Sequence, residues 1–440
     1  MKRFVYNIFT IVVVALITCF SAKAETVNLG GTDYTIETKI DRELAPGVRY
    51  MRLRLPDYPL NVNLLKVDMT NQNVIVETTV ANEKSRGTEL LTSAARRHTS
   101  AGHKPVAAAN GNFWGTKSEY PHGEVFSGIA KNASMRNGKL VTESNQYLDP
   151  WDGGTQRTGV VGITEDNKVY ADYCTSAIRV TIGENRIPVH VCNKAPKPGE
   201  LCMYNSFYGS TTQFFPIRVY NKDTDGKKWY EKAEAGNCTE LLLDIKEGET
   251  WGTARDMTFI VKEVRTKAGD GTLGNHDLAL VGNGNSYSKY YFKDVKPGDE
   301  VTLEYHWTFD EPDGSRSHPK FTQIIGGNAM VMVKGELTDH NSNEDYNSMV
   351  YSRTGYGCSD DHNTLYVIVI DKSTDPDYGT SAGCSTAIMS ELARHYGCYN
   401  LSNFDAGGSA EMMIEGKIVN KTTETTPRQV ANGLMIFTKE

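Results

Sequence analysis

Residues 350–440 concentrate the side chains able to act on an anionic substrate. Asp405 is followed by Ala406, Gly407, Gly408 and Ser409, and adjacent glycines let backbone N–H groups converge on an anion with no Cβ in the way. Arg353 and Arg428 stand in predicted loops beside strands, and a guanidinium fork matches two phosphate oxygens at once. Asp371 and Asp405 each close a predicted parallel strand, at the sheet edge where ligand crevices form. Glu411 opens a predicted hairpin just beyond Ser409 and supplies an alternate carboxylate. Such a set could hold a phosphate and bring a carboxylate to the bond beside it. Cations near Asp405 favour its ionised form, so it is expected to act as a charged group rather than a proton donor.

The elements that must position these residues follow from hydrophobic periodicity and turn chemistry. Residues 64–69 and 74–80 read as strands around a polar turn, and 88–98 as a helix with Leu90, Leu91, Ala94 and Ala95 on one side. The apolar run 106–109 stops at Asn110-Gly111-Asn112-Phe113, a strand feeding a turn. Between 160 and 321 short strands alternate with turn signals. Residues 365–370 are continuously apolar and β-branched-rich, as in a strand buried on both faces. A helix over 385–396 ends at Gly397, and strands are expected over 399–404, 411–414, 417–420 and 434–437. The expected fold is α+β, a mixed sheet with packed helices plus a β-rich insertion. The expected segments are a leader over 1–24, an N-terminal β segment over 25–59, two halves of one domain over 60–160 and 321–440, and the insertion over 161–320.

The successive motifs Asn110-Gly111-Asn112-Phe113, Gly326-Gly327-Asn328, Arg353-Thr354-Gly355, 365–371, 403–409, Asn420 and Arg428-Gln429-Val430 resemble those of the phosphodiester glycosidase family, enzymes that remove a sugar from a phosphodiester. The resemblance covers about residues 60–130 and 320–440. It implies cleavage of the sugar C–O bond of a sugar-1-phosphodiester, N-acetylglucosamine-like, with release of a phosphomonoester; no cofactor and no metal ligand is assigned. It further implies catalysis by Asp405, with Glu411 as alternate. Asn110, Asn112, Asn328, Arg353, Asp371, Gly407, Gly408, Ser409 and Arg428 then become substrate- and phosphate-binding candidates. Two positions depart from the family pattern: Ala406 stands where members usually carry glycine, and Lys372 follows Asp371 where glycine is common. These departures keep a second class open, a glycan-binding or envelope protein on the same fold.

Residues 1–24 pair Lys2 and Arg3 with an apolar run and a small-x-small site, the pattern of a secretory leader, so an exported protein is expected. No later stretch reaches the ~20 apolar residues of a membrane helix. The net charge of -7 becomes three units more negative without the leader's Lys2, Arg3 and Lys23, which disfavours nucleic acid as a partner. Seven cysteines follow the leader, and an oxidising compartment would allow up to three bridges with one thiol left over. Zinc ligation by Cys358, His362, Cys384, His395 and Cys398 lacks a tight Cys-x-x-Cys pair. Gly379-Thr380-Ser381-Ala382-Gly383 matches the nucleophile-elbow pattern, but residues 371–378 separate it from its strand and no histidine follows Asp405. Asp371, Ser373, Asp375 and Asp377 alternate oxygens as in a calcium loop, with the glycine misplaced.

Overall fold

The computed structural model describes residues 25–100, 102–115, 128–143, 158–194, 196, 198–210, 212, 221–222, 228–229, 238–269, 271–310 and 315–439. The expected leader lies outside them.

A nine-stranded sheet carries most of the candidate residues. Its strands are β1 (Glu25–Leu29), β2 (Thr32–Ala45), β3 (Val48–Leu55), β4 (Leu60–Asp68), β7 (Ala329–Val333), β8 (Arg353–Cys358), β9 (Thr364–Ile370), β10 (Asn400–Asn403) and the short Glu336–Leu337. Their order across the sheet is β1-β2-β3-β4-β9-β8-β10-β7, closed by Glu336–Leu337. A five-stranded sheet contains β5 (Val74–Val80), β6 (Pro105–Asn110), β11 (Met412–Ile414), β12 (Lys417–Ile418) and β13 (Asn432–Thr438), in the order β12-β11-β6-β13-β5. The turn after β4 therefore passes the chain from one sheet to the other. A thirteen-stranded sheet holds the middle of the chain, including Val169–Ile182 and Glu300–Asp310, and takes in Ser134–Arg136, Lys139–Thr142 and Phe321–Gly326 from either side of the expected insertion.

The alternation of side chains along a strand decides the layering. In β9, Leu365, Val367 and Val369 join a core shared with Val76, Ala107, Met412 and Ile436 of the five-stranded sheet. The opposite residues Tyr366, Ile368 and Ile370 pack with Met389, Leu392 and Ala393 of helix α2 (Thr386–His395). β9 is thus buried on both faces, as its unbroken apolar sequence requires. Helix α1 (Leu91–His98) covers the outer face of the five-stranded sheet through Leu91, Ala94 and Ala95 against Ala108, Met435 and Phe437. Ser385 caps α2 by accepting the Ile388 N–H, and Gly397 ends it at φ +99°, a conformation that glycine adopts without strain.

The expected α+β class is corrected to a mostly β fold. Among the described residues, α1 and α2 are the only α-helices of eight residues or more, and every strand pair of the nine- and five-stranded sheets is antiparallel. The apolar run 365–370 suggested a parallel sheet because parallel strands are covered on both faces. Here a second sheet and α2 supply the two covers instead. β9 and β10 do run in the same direction, with antiparallel β8 between them.

All seven cysteines from Cys174 to Cys398 are buried, and no bridge joins any two of them. Cys202 donates to the Lys194 carbonyl and Cys398 to the Asn400 carbonyl. The expected disulfides are therefore not what holds this fold. Among the described residues no group of three or more His, Cys, Asp or Glu side chains could hold a metal, and no helix is long and apolar enough to cross a membrane.

Candidate functional site

Asp405 follows β10 and is held by main-chain bonds on two sides. Its N–H donates to the Gly111 carbonyl, and its own carbonyl accepts from Asn110 Nδ2 at 2.8 Å. The carboxylate accepts the Ala406 N–H at 3.0 Å, and the Ser409 hydroxyl lies close enough to lower its pKa. Ser409 Oγ in turn accepts from Arg428 Nη1 at 3.1 Å. A cation, a hydroxyl and a carboxylate are thus neighbours. Burial pushes the Asp405 carboxyl up to about 6, against the lowering effects of Ser409, the Ala406 N–H, Arg428 and Lys131. Desolvation outweighs the cations, opposite to the direction expected from sequence, yet at neutral pH the group remains mainly ionised.

Glu411 is only 2% exposed, where a hairpin position suggested a solvated residue. Its Oε1 accepts the Arg428 backbone N–H at 2.6 Å, while Oε2 has no partner among the described residues. Burial raises its carboxyl to about 7. Asn110 sits between the two carboxylates: Oδ1 accepts from the Glu411 N–H at 3.0 Å and from the Thr354 hydroxyl at 2.7 Å, and Nδ2 holds Asp405. The asparagine ends β6 and fastens the chain on either side of the 405–411 turn.

The two glycines have different work. Gly407 adopts φ +64° with nothing within 4 Å of a built Cβ, and its N–H is committed to the Ser352 carbonyl. At Gly408 a Cβ would lie 2.3 Å from Glu424 Oε1 and 2.5 Å from Arg428 Nη2. The missing side chain makes room for a carboxylate and a guanidinium packed directly on the backbone. Glu424 pairs with Arg428 through Nη2 and, at 3.2 Å, through Nε. An anion therefore already occupies the surface formed by Gly408 and Arg428, and the pair is accessible, with the Arg428 side chain 41% exposed.

The fold brings Asp405, Gly407, Gly408, Ser409, Glu411, Arg428 and Asn110 into one constellation and gives the other candidates different surroundings. Arg353 is 1% exposed. Its Nε donates to the Cys384 carbonyl at 3.0 Å and its Nη2 to the carbonyls of Tyr346, Asn347 and Met349. Asn112 donates to the Asn132 and Ala133 carbonyls, and the Asn328 N–H to the Asn403 carbonyl. Asp371 is fully buried, accepting from Arg52 Nη2 at 3.2 Å and Asn63 Nδ2 at 3.1 Å. Arg52 also pairs with Asp375 at 3.3 Å and faces the Tyr378 ring.

That cluster also answers the two rival motifs. Ser381 lies in the strand Gly379–Ala382, paired with Lys372–Asp375; its hydroxyl donates to the Asp371 carbonyl at 2.7 Å and accepts the Asn61 N–H. Asp375 is committed to Arg52 and to the N–H groups of Asp377 and Tyr378. Neither an elbow nor a calcium loop is formed. Sequence reasoning missed Glu424 and Tyr346, which flank Arg428 and Asp405. Glu424, four residues before Arg428, carried the weak signal of a helical ion-pair spacing within a loop; Tyr346 carried none in a chain with 23 tyrosines.

No curated protein matches the chain. Two solved structures share its fold. A hypothetical protein from Synechocystis aligns over 91% of this chain with a TM-score of 0.61 and 11% identity, and this chain spans 64% of that protein's length. A protein from Burkholderia pseudomallei aligns over 86% of this chain and 74% of its own, with a TM-score of 0.56 and 16% identity. The catalytic domain of zebrafish N-acetylglucosamine-1-phosphodiester alpha-N-acetylglucosaminidase aligns over 94% of this chain and 87% of its own at 11% identity, with a TM-score of 0.37, too low to carry a structural argument. Residues 257–437 match the model of the phosphodiester glycosidase family, a range that includes part of the expected insertion and the whole Asp405–Arg428 constellation, and this match bears out the chain's resemblance to that family.

Proposed function

We propose that the chain is an exported hydrolase that cleaves the sugar C–O bond of a sugar-1-phosphodiester, N-acetylglucosamine-like, releasing the sugar and a phosphomonoester. The observation that carries this reading is the grouping of Asp405, Ser409 and Arg428, with Arg428 Nη1 bonded to the Ser409 hydroxyl, beside a surface on Gly408 that already accommodates an anion. A phosphate replacing the Glu424 carboxylate there would meet the fork of Arg428, and the adjoining Asp405 would face the sugar. In the net reaction the hydroxyl of water is joined to the anomeric carbon, the C–O bond breaks, and the phosphomonoester departs with the bonding electrons. A phosphomonoester is a weakly basic leaving group, so an ionised carboxylate at the anomeric carbon and donors on the phosphate supply the main assistance. Asp405 is the catalytic residue in this reading. Glu411, tied to the Arg428 backbone, is a positioning residue.

The test is a screen of sugar-1-phosphodiesters that measures free sugar and sugar 1-phosphate separately. Free sugar accompanied by a phosphomonoester is expected. Sugar 1-phosphate would mean P–O cleavage and sink the proposal, and micromolar glycan binding without any turnover would establish the binding-protein alternative.

A further inference from the structure

Tyr346 carries a buried polar atom with no hydrogen-bond partner among the described residues. It belongs to the short helical turn Asp345–Ser348, and its ring is clamped on several sides. Phe113 packs edge-on at 5.2 Å and Tyr351 stacks at 5.7 Å between centroids. The Arg353 guanidinium lies 5.1 Å from the Tyr346 ring and 5.2 Å from that of Tyr351, while its N–H groups hold the carbonyls of Tyr346, Asn347 and Met349. Asn403 adds a bond from Nδ2 to Asn347 Oδ1 at 2.7 Å. The segment cannot swing its tyrosine away without breaking this set. Yet the hydroxyl has no hydrogen-bond partner among the described residues. Asp405 and the Ala406 N–H lie near enough to shift its titration, and that N–H is already donated to Asp405 Oδ1.

Leaving a buried hydroxyl unpaired costs about 1–3 kcal/mol, and such groups in native proteins call for an explanation. A rigid tyrosine whose orphan hydroxyl lies beside the candidate carboxylate is explained if a ligand completes the bond. The rings of Phe113, Tyr346 and Tyr351 are all partly exposed, offering apolar faces beside a hydroxyl and a carboxylate, the mixture that a sugar ring with its C–H faces and hydroxyls requires. We infer that Tyr346 is a sugar-binding, specificity-determining residue, whose hydroxyl donates to a ring hydroxyl of the sugar held in front of Asp405. The buried Arg353 is then a positioning residue acting through Tyr346. This rests on the glycosidase reading for the identity of the ligand.

The experiment measures binding of free monosaccharides, N-acetylglucosamine first and then its monodeoxy analogues, to the full chain and to Tyr346→Phe by ligand-observed NMR, with a thermal melt of both. The expected result is a variant that melts no lower than the wild type and binds the sugar about 10- to 100-fold more weakly, the range set by one hydrogen bond to an otherwise orphaned group. One deoxy analogue should bind both proteins equally, because it lacks the hydroxyl that Tyr346 contacts. Equal affinity of the two proteins for every sugar, or no sugar binding by the wild type, overturns the inference. The reading of the reaction is decided separately by the phosphodiester screen: turnover unaffected by Tyr346→Phe removes the tyrosine and leaves the hydrolase, whereas sugar binding lost in the variant of a protein without turnover does the reverse.

Discussion

Two carboxylates end strands that run in the same direction through one sheet, and their surroundings differ in nearly every respect. Asp371, after β9, is fully buried against Arg52, which also pairs with Asp375 and donates to the Val419 carbonyl. Asn63 fills a further position and itself accepts from the Tyr50 hydroxyl. Asp405, after β10, is partly exposed and has no direct ion pair with Arg428, which bonds the neighbouring Ser409 hydroxyl instead, and the hydroxyl of Tyr346 has no partner among the described residues. The first cluster joins the 372–382 hairpin to β3 and to the chain after β12. In the second, a cation stays accessible, an anion position is filled only by the exposed Glu424, and a hydroxyl waits for an acceptor. Burial raises both carboxyls, Asp371 to about 7 and Asp405 to about 6, so the shift alone does not tell a structural carboxylate from a working one. The state of its neighbours does: in one case both carboxylates are paired with an enclosed cation, whose Nε alone lacks a partner among the described residues, and in the other the cluster is incomplete and open.

The largest effect should come from breaking the closed cluster. Arg52→Met leaves Asp371 and Asp375 buried without their cation, and removing one partner of a buried pair costs about 3–5 kcal/mol. Urea denaturation should show that loss, and a variant as stable as the wild type would mean the cluster is not the fastener described. At the open cluster, Asp405→Asn keeps size and the Ala406 bond but removes the charge, so kcat should fall at least ~100-fold with the melting temperature unchanged or raised. An unchanged kcat would return Asp405 to turn capping and erase the contrast with Asp371.

The arginines sharpen the same comparison. Arg428→Lys should lose about 1.5–3 kcal/mol of transition-state binding in kcat/KM with little change in stability, because a point charge cannot span two phosphate oxygens. Arg353→Lys should instead lower stability first, since its Nε and Nη2 are spent on carbonyls of residues 346–349 and Cys384. Parallel losses of activity and stability in both variants would blur the distinction between the two sites.

The smallest effect is on pH dependence. Glu411, Asp371 and Asp405 have folded-state pKa values above the ~4 of an unfolded carboxyl. Between pH 4 and 7 the folded protein retains protons that the unfolded chain has released. This contribution to stability is complete below pH ~4 and is lost as pH rises through 6 and 7. Glu411→Gln keeps an acceptor for the Arg428 N–H and removes one of the three titrating groups, so its denaturation midpoint should fall less between pH 5 and 7. An identical slope in wild type and variant would show that Glu411 is ionised in the folded protein throughout.

Local sequence was informative wherever a short-range rule decided the outcome. The apolar run before Asp371, the Ser385 cap and Gly397 stop of α2, and the turn between β4 and β5 all have structures close to those their residues required, because periodicity, capping and backbone freedom act over a few residues. The Asp405-to-Arg428 stretch was legible as chemistry for the same reason: its carboxylate, hydroxyl, glycines and guanidinium lie within one short segment. Tertiary structure alone decided that β9 has antiparallel neighbours and receives its two covers from α2 and a second sheet, since an unbroken apolar strand states that it is covered and not by what. It also decided which polar groups are already satisfied. Arg353 and Arg428 are the same side chain and both read from sequence as loop residues, but Arg353 opens β8, and only the carbonyls of residues 346–349, its neighbours in sequence, together with Cys384, 31 residues away, turn it into a buried clamp. Arg52 meets Asp371 across a sequence separation of 319. Hydrogen-bond completion is a property of the assembled neighbourhood, and that is why the sequence could name the reactive groups while the fold determined which of them remain open to a substrate.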